Sequence, residues 1–500
     1  MPEFNLFDDD AIDSDDGLHP ACVVRLSELF PEATRTSSTD VVVTSCVSDW
    51  REVEPGDVFV ALPAADGSND DGHLHAQRAV SHGAIAVVCE QPVPVFDVPT
   101  YLVPDSRVAL GEICHALLGH PCRAMEVIGV TGTHGKSTTI ALLASIFAKA
   151  GTHCGVLSSL GCYDGMSHSP GISDLPSAPA LAARLARMEA AGCTHALVEV
   201  SSQVLSQARI AGIELDGICV TNVSDAHLDH HNTVQSYRAT KRRILQYLSP
   251  TGITVLNADD PVSIKWLDKL SGPVLTYGLG TEAEITAKVV ESHANQQTFV
   301  LTAGSDSVAV QTSILGEHHV SNCLAAATVA LSLGIDLPAV AAGLEAVEQL
   351  PARMERVDCG QGFPVFVDAA ETAEALRVSL RTARQLAERR VICVWGEASV
   401  GAREQLAIAH VLRRMADLAI VTQSLPESER KRADVEVVAD RSEAIACAVA
   451  IAEPGDVVVI AGSRNQGGYV FGSDSQSLSD GELARQLLYA RPEAAIRLVA

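Results

Sequence analysis

Short apolar runs rich in β-branched residues alternate with segments of helical periodicity along most of the chain. In the amino-terminal part, the pattern predicts three strands and two helices: residues 41–44, 57–62 and 84–88, and residues 75–82 and 107–118. A Gly-His-Pro sequence at residues 119–121 follows the second helix and indicates a turn. The pattern therefore predicts a small α/β domain that ends near residue 120.

The alternation of strands and helices continues through the rest of the chain. In the middle part it predicts four strands and three helices: residues 127–131, 196–200, 217–221 and 252–257, and residues 136–150, 178–191 and 236–248. After a second boundary near residue 350 it predicts four more strands: residues 364–368, 391–395, 418–422 and 456–461. Such alternation is typical of α/β domains built on parallel sheets. We therefore predict three domains, at residues 21–120, 121–348 and 349–500.

The charge of the chain excludes some partners. Asp and Glu number 62 against 36 Lys and Arg, a net charge of −26. This excess argues against nucleic acid and anionic membranes as partners, because both require clustered cations. No signal peptide or membrane-spanning segment is predicted. Residues 1–20 are predicted to be a disordered acidic tail, since seven acidic residues fall within the first 17 positions: Glu3, Asp8, Asp9, Asp10, Asp13, Asp15 and Asp16.

The 13 cysteines are spread along the chain without a C-x-x-C pair. This pattern favours buried free thiols in a reducing compartment over a disulfide framework. We therefore expect a cytoplasmic protein.

A glycine-rich loop lies between the predicted strand at 127–131 and the predicted helix at 136–150. Residues 127–139 read V-I-G-V-T-G-T-H-G-K-S-T-T. Glycines in this context let backbone N–H groups point at phosphate oxygens, next to the positive end of a helix. Lys136 can reach the outer phosphates, and Ser137 can place a hydroxyl on Mg²⁺. The spacing differs by one residue from the strict G-x-x-x-x-G-K-[ST] pattern, but the loop predicts binding of ATP with Mg²⁺.

Several segments together resemble the Mur ligase family of ATP-dependent amino-acid ligases. The loop has the family form T-G-T-x-G-K-[ST]; the other segments read E-V-S-S-Q at 199–203, T-N-V-S-D-A-H-L-D-H-H at 221–231, Y-R-A-T-K at 237–241, N-A-D-D-P at 257–261, V-S-N-C-L-A-A at 320–326 and P-A-R-M-E at 351–355. In the first domain, S-D-W-R at 48–51, P-G-D-V-F-V-A at 55–61 and D-G-H at 71–73 resemble the UDP-binding domain of the family's tripeptide synthetases. The resemblance implies a central P-loop parallel-sheet domain and a Rossmann-like carboxy-terminal domain.

The resemblance also implies a reaction. ATP would phosphorylate a carboxylate of UDP-N-acetylmuramoyl-dipeptide, and an amino acid would attack the acyl phosphate. The reaction would belong to peptidoglycan precursor synthesis, and the enzyme would be a monomer. By resemblance, the residues that contact ATP are Gly132, Thr133, His134, Gly135, Lys136, Ser137, Thr138, Asn322, Arg353 and Asp368. The residues implied for substrates are Asp49, Arg51, Ser201, Gln207, Arg209, Arg403 and Gly462. The residues implied for Mg²⁺ are Ser137, Glu199, His227 and Lys241; Lys136, Lys241 and His227 are implied in catalysis, Lys241 as a carbamylated lysine.

The chain departs from the family pattern at several of these places. The D-N-P-R motif that holds diaminopimelate in relatives corresponds to Ser424-Leu-Pro-Glu427, and K-G-H-E corresponds to Ser463-Arg-Asn-Gln466. Asp174-Leu175 replaces a substrate-contacting Thr-Thr pair, Gln203 replaces His, Ala226 replaces Asp, and Trp50 replaces Ser. Two hypotheses follow. The chain is a ligase with a changed amino-acid pocket, or it is a relative that binds nucleotide without ligation and acts as a binding or regulatory protein.

Overall fold

The computed structural model describes residues 22–37, 39–64, 70–172, 174–224, 233–280, 282–293, 295–396, 400–422, 435–462, 469–470 and 477–491. They form two compact units. The first contains the described parts of 1–223, 235–276 and 328–333, and the second those of 224–234, 277–327 and 334–500. The predicted tail at residues 1–20 lies outside the described residues.

The amino-terminal part of the first unit carries a five-stranded sheet. This part of the chain has seven strands: β1 Val24–Arg25, β2 Thr34–Arg35, β3 Val42–Val43, β4 Cys46–Val47, β5 Val58–Val60, β6 Ala86–Cys89 and β7 Thr100–Leu102. Its helices are α1 Leu26–Leu29, α2 Ala76–His82 and α3 Ser106–Leu117. The sheet order is β2-β7-β6-β5-β4, and all neighbours except β2 and β7 are parallel; β1 and β3 pair separately. The three strands and two helices predicted from sequence are confirmed.

The larger sheet of the first unit holds the candidate active site. Its strands are β8 Glu126–Thr131, β9 Cys154–Leu157, β10 Cys162–Tyr163, β11 His168–Ser169, β12 His195–Val200, β13 Leu215–Val220, β14 Leu248–Asn257 and β15 Val274–Gly278, in the order β11-β10-β9-β12-β8-β13-β14-β15. The helices of this part of the chain are α4 Lys136–Lys149, α5 Ala178–Ala190, α6 Ser202–Ser206 and α7 Val234–Arg242. β9, β12, β8, β13 and β14 are parallel. Their carboxyl ends therefore share one edge, where sites of parallel sheets form.

The apolar runs of this sheet explain its burial. Val127, Ile128 and Val130 on β8 are all fully buried, although they point to both faces of the sheet. Continuous apolar strands are typical of parallel sheets covered on both faces.

The helix predicted at 236–248 is observed as two elements, helix α7 and a following 3₁₀ turn at Arg243–Tyr247.

The second unit contains an antiparallel hairpin layer that the sequence pattern did not predict. Its strands are β16 Ile285–Ser292, β17 Gln297–Ala303 and β18 Asp306–Thr312, paired in that order. Two further helices follow along the chain, α8 Glu317–Ser332 and α9 Leu337–Glu345.

The carboxy-terminal sheet of the second unit has six strands. They are β19 Glu355–Val357, β20 Val365–Asp368, β21 Val391–Trp395, β22 Leu418–Val421, β23 Val435–Val437 and β24 Val457–Ala461, in the order β19-β20-β24-β21-β22-β23. All but β19 run parallel. The helices are α10 Ala373–Leu386, α11 Ala402–Met415, α12 Arg441–Ile451 and α13 Asp480–Tyr489, and β25 Tyr469–Val470 pairs with β26 Ser477–Leu478. The predicted α/β class is confirmed.

A buried ion pair stabilises this sheet at its carboxyl edge. Arg441 donates to both carboxylate oxygens of Asp480, at 3.0 and 2.7 Å, and to the carbonyls of Gly396 and Ala461. The two side chains are only 1% and 3% exposed. Removal of one partner leaves the other charge buried without its counter-ion, which is far more destabilising than removal of both.

We expect the substitution Arg441→Met to lower the free energy of unfolding by about 3 kcal/mol. Urea unfolding followed by intrinsic tryptophan fluorescence measures the change, since Trp395, fully buried in the same sheet, contributes to that signal. The double variant Arg441→Met/Asp480→Leu should recover part of the loss. A single variant as stable as the wild type would show that the pair contributes little.

The 13 cysteines are free, and the prediction of free thiols is confirmed. The prediction that all are buried is wrong, since Cys22 is exposed and four others are only partly buried. No helix among the described residues combines the length and apolar character that crossing a membrane requires.

Candidate active site

The glycine-rich loop connects β8 to α4, as the sequence predicts. Gly135 adopts a left-handed conformation, φ 84°, immediately before the helix begins at Lys136. Gly132 has φ 155°, and a methyl group at its Cα would lie 1.9 Å from the Thr221 hydroxyl oxygen. Only glycine fits this approach between the loop and the end of β13.

The residues that follow β13 hold the loop in shape. The Asn222 side-chain oxygen accepts from the His134 N–H at 3.0 Å, and the Asn222 carbonyl accepts from the Thr133 N–H at 2.9 Å. The Thr221 hydroxyl donates to the His134 carbonyl at 2.6 Å. These bonds hold the loop backbone in place.

Lys136 folds back over the loop from the first turn of α4. Its Nζ donates to the carbonyls of Gly132 and Thr133 at 3.1 and 3.2 Å. The neighbouring Ser137 and Thr138 are buried in the same turn. The loop thus combines backbone N–H groups, a helix amino terminus and a cation, which is the chemistry of a polyphosphate site.

Glu199, near the carboxyl end of β12, accepts hydrogen bonds from hydroxyl groups of two neighbouring segments. Oε1 accepts from the Ser137 hydroxyl at 3.0 Å. Oε2 accepts from the hydroxyls of Ser158 and Ser159 and from the Ser159 N–H, at 2.9–3.1 Å. Burial raises the pKa of Glu199, but the Lys136 cation and these hydrogen bonds outweigh burial and place the pKa below its ordinary value. Glu199 is therefore a carboxylate at neutral pH.

Lys241 reaches the same loop from α7. Its side chain is 1% exposed, its Nζ donates to the Gly132 carbonyl at 2.8 Å, and it lies over the Tyr237 ring. Burial and then the Lys136 cation lower the pKa of Lys241 well below its ordinary value, although Glu199 acts in the opposite direction. A lowered pKa gives a buried lysine the neutral, nucleophilic amine.

The oxygen donors here suit Mg²⁺. Carboxylate and hydroxyl oxygens are the ligands that this ion prefers, together with phosphate oxygens and water. Glu199 and Ser137 supply one of each, 3.0 Å apart. Across the residues that the structure describes, no three His, Cys, Asp or Glu side chains gather as a metal cluster. His227, the other predicted ligand, lies outside the described residues.

Ser201, Gln207 and Arg209 come together beside Asp174. The Ser201 hydroxyl donates to Asp174 Oδ1 at 2.7 Å. Arg209 donates to the Gln207 side-chain oxygen at 2.7 Å and to Asp174 Oδ2 at 3.4 Å, and it also donates to the Leu175 carbonyl. Three residues predicted to contact the muramoyl-peptide thus form one cluster.

The predicted UDP contacts lie at a 3₁₀ turn, Trp50–Glu52. Asp49 precedes the turn and accepts from the Arg51 N–H at 2.9 Å and from its guanidinium at 3.2 Å. Two guanidinium groups lie over the indole of Trp50, those of Arg51 and Arg78, at 5.2 and 5.1 Å from the ring centre. The turn therefore presents cations and an aromatic face together.

The other predicted nucleotide contacts belong to the second unit. Asn322 lies half-buried on α8. Arg353 sits between Ala352 and Met354, which both adopt left-handed conformations with φ 49° and 48°. Asp368 accepts from the Met354 N–H at 2.8 Å and from the Ser379 hydroxyl at 3.0 Å. Burial raises the pKa of Asp368, while Arg353 and the Met354 N–H act against this rise. Asp368 thus fixes the strained backbone that carries Arg353.

The other two predicted substrate contacts, Arg403 and Gly462, also belong to this unit. Arg403 is exposed in the first turn of α11, and Gly462 directly follows β24. Both stand at the carboxyl edge of the sheet. The changed motifs at 424–427 and 463–466 lie outside the described residues, so their effect on this edge stays a prediction.

Sequence reasoning missed four contributors to the first-unit site. Ser158 and Ser159 bond Glu199, Asn222 holds the loop, and the Tyr237 hydroxyl lies 3.0 Å from the Thr133 hydroxyl. A signal for the serines existed, because they directly follow the apolar run 154–157, whose strand would end at the same sheet edge. Asn222 and Tyr237 stand in segments that resemble the family, but no role was predicted for either. The contact of Tyr237 joins residues 104 positions apart, so no pattern within one segment predicts it.

Comparison with protein families and curated proteins agrees with this geometry. The Mur ligase middle domain matches residues 130–330, and the Mur ligase glutamate ligase domain matches residues 352–464. The UDP-N-acetylmuramoyl-L-alanyl-D-glutamate–2,6-diaminopimelate ligase of Geobacillus kaustophilus (strain HTA426) is 35% identical over 464 residues, covering 89% of this chain and 94% of that protein. The UDP-N-acetylmuramyl-tripeptide synthetase of Roseiflexus sp. (strain RS-1) is 34% identical, with coverage of 89% and 94%.

Solved structures share the architecture. A structure of UDP-N-acetylmuramoyl-L-alanyl-D-glutamate–2,6-diaminopimelate ligase matches with a TM-score of 0.70 and 25% identity, covering 94% of this chain and 99% of that one. The MurF ligase of Thermotoga maritima in complex with ADP matches with a TM-score of 0.62, 20% identity and coverage of 91% and 98%. At 20% identity this second likeness concerns the fold alone.

Proposed function

Because this chain belongs to the Mur ligase family, we propose that it is an ATP-dependent ligase that adds an amino acid to UDP-N-acetylmuramoyl-dipeptide in peptidoglycan precursor synthesis. Two relatives that are 34–35% identical to this chain are named as a diaminopimelate ligase and a tripeptide synthetase. The match covers 94% of the length of each. They support ligation, and they give no support to the alternative of a binding protein without catalysis. The three-domain Mur ligase architecture predicted from sequence is confirmed by the structural matches.

One arrangement in the first unit carries the proposal. The glycine-rich loop, the Lys136 cation, the Ser137–Glu199 pair and buried Lys241 all meet at one sheet edge. A loop of this kind suits phosphoryl transfer, in which charge spreads over the transferred oxygens and catalysis depends on positioning and electrostatic stabilisation. A buried lysine and a carboxylate beside the loop go beyond what simple phosphate binding requires.

The proposed reaction has two steps. A substrate carboxylate oxygen attacks the γ-phosphorus of ATP, and ADP leaves with the electron pair of the broken P–O bond. The amine of the amino acid then attacks the acyl carbon, loses a proton and expels phosphate, so that an amide forms. Lys136 stabilises the negative charge that develops on the transferred phosphoryl group. The loop N–H groups hold the phosphates in line for the attack.

We propose that Glu199, Ser137, Lys241 and His227 hold Mg²⁺. When bound, the ion supplies neutralisation of phosphate charge. Lys241 can be a ligand of Mg²⁺ only after its amine has reacted with CO₂ and lost a proton, because the resulting carbamate is an anion with oxygen donors. The burial of Lys241 and its lowered pKa favour this reaction.

We assign the remaining residues by the same proposal. Asn322, Arg353 and Asp368 serve the nucleotide, Asp368 by fixing the backbone that carries Arg353. Asp49, Arg51, Ser201, Gln207 and Arg209 serve the UDP-muramoyl-peptide, and Arg403 and Gly462 serve the amino acid. We also propose that the protein is a monomer and that it acts in the cytoplasm, where ATP is found.

The test uses the purified protein with ATP, Mg²⁺ and UDP-N-acetylmuramoyl-dipeptide, to which amino acids are added singly. Diaminopimelate and lysine come first, because Glu427 stands where relatives carry an arginine that would pair a second carboxylate. We expect phosphate release and a tripeptide product with one amino acid. ATP binding without turnover of any amino acid would contradict the ligase.

A further inference from the structure

Asp174 occupies a position within the proposed muramoyl-peptide site where the family pattern has no acid. It lies between β11 and α5, and it contacts two of the residues assigned to this substrate, Ser201 and Arg209. The side chains of Asp174 and Arg209 are 20% and 24% exposed, so a ligand can reach the pair. The substrate is itself an anion, with a diphosphate and carboxylates.

Three donors of this cluster, the Ser201 hydroxyl and Arg209 Nε and Nη1, are already engaged. The Ser201 hydroxyl accepts from the Val204 N–H at 3.1 Å and gives its single proton to Asp174 at 2.7 Å. Arg209 uses Nε on Gln207 and Nη1 on Asp174 and the Leu175 carbonyl. An anionic ligand can therefore bond the Ser201 hydroxyl or Arg209 Nη1 only in place of these partners.

The charges point the same way. Arg209 is the cation of the cluster, and Asp174 cancels its charge locally. An incoming carboxylate or phosphate would meet a carboxylate at close range, and like charges so placed lower affinity and discriminate between ligands.

We infer that Asp174 limits how tightly this site binds its substrate, because its carboxylate competes with an anionic group of UDP-N-acetylmuramoyl-dipeptide for Ser201 and Arg209. The inference rests on the proposed function. Asp174 weakens the binding of this substrate, and its replacement by a neutral residue strengthens it. Asp174→Asn keeps an oxygen that accepts from Ser201 but removes the charge.

Isothermal titration calorimetry with UDP-N-acetylmuramoyl-dipeptide, in the absence of ATP, tests this inference on the full chain. We expect Asp174→Asn to lower the dissociation constant about tenfold at low ionic strength, and less at high salt, because the lost repulsion is electrostatic. Asp174→Thr, which restores the family residue, should also bind more tightly. Glu189→Gln, at an exposed position of α5, removes the same charge elsewhere and should leave affinity unchanged.

The outcomes separate the two claims. Tighter binding by both Asp174 variants, with Glu189→Gln unchanged, supports the inference. Unchanged or weaker binding by the Asp174 variants, while the wild type binds, overturns the inference and leaves the ligase proposal intact. If neither the wild type nor the variants bind UDP-N-acetylmuramoyl-dipeptide, both the proposed function and this inference are wrong.

Discussion

Replacement of Lys136 by Met is expected to lower kcat/KM for ATP by about a thousandfold or more. Lys136 is the cation that folds over the glycine-rich loop, and its Nζ lies within hydrogen-bond distance of the Gly132 and Thr133 carbonyls. Loss of one preorganised donor at a site of developing charge typically costs about 10²–10³ in rate, and a full positive charge is lost here. Amino-acid-dependent phosphate release measures the effect.

The matched control for this variant is Lys149→Met. Lys149 is the last residue of the same helix and is exposed. The control therefore removes the same charge and side chain away from the loop, and its kcat/KM should stay within about twofold of the wild type, as for most surface substitutions. Similar losses in both variants would show that the effect comes from the helix and not from phosphate contact.

The substitution Lys241→Ala is expected to reduce the ligation rate by about a thousandfold, with partial recovery on addition of short-chain carboxylates such as acetate. Truncation removes the buried group that the proposal makes a carbamate, and leaves space beside Gly132 into which a free carboxylate can diffuse. Phosphate release at increasing acetate concentration measures both the loss and the recovery.

The control for Lys241 is its exposed neighbour, Arg242→Ala. This variant should keep wild-type activity and show no response to acetate. Wild-type activity in Lys241→Ala would remove Lys241 from the mechanism. A loss without recovery by any small carboxylate would argue for a structural role through the Gly132 carbonyl and against carbamylation.

Sequence reasoning predicts those parts of the site that are local in the chain. The strand, loop and helix around Lys136 and Ser137 follow each other directly, and Glu199 lies near the end of a recognisable apolar strand. The edge rule for parallel sheets then brings Glu199 to the loop. Because β8 and α4 depend only on neighbouring residues in the sequence, their observed bounds agree with the predicted bounds to within a residue.

The contacts that define the charge state of the site are not local. The bond from Lys241 to Gly132 joins residues 109 positions apart, and the pair Arg209–Asp174 spans 35 positions. Burial, which lowers the pKa of Lys241, depends on packing from several elements and has no signature in one segment. The antiparallel strands β16–β18 escape the prediction for another reason. Buried and partly exposed residues alternate along β17, so these strands lack the continuous apolar runs that mark the parallel strands.

Formation of an acyl phosphate at the Lys136 loop is the step on which the proposed ligation depends. Its most direct test uses UDP-N-acetylmuramoyl-dipeptide labelled with ¹⁸O in the reacting carboxylate, and mass analysis of the phosphate released during ligation. Attack of that carboxylate on ATP, followed by attack of the amine on the acyl carbon, transfers one carboxylate oxygen to phosphate. We predict one ¹⁸O in each released phosphate. Tripeptide formation with unlabelled phosphate would show that ligation does not proceed through an acyl phosphate.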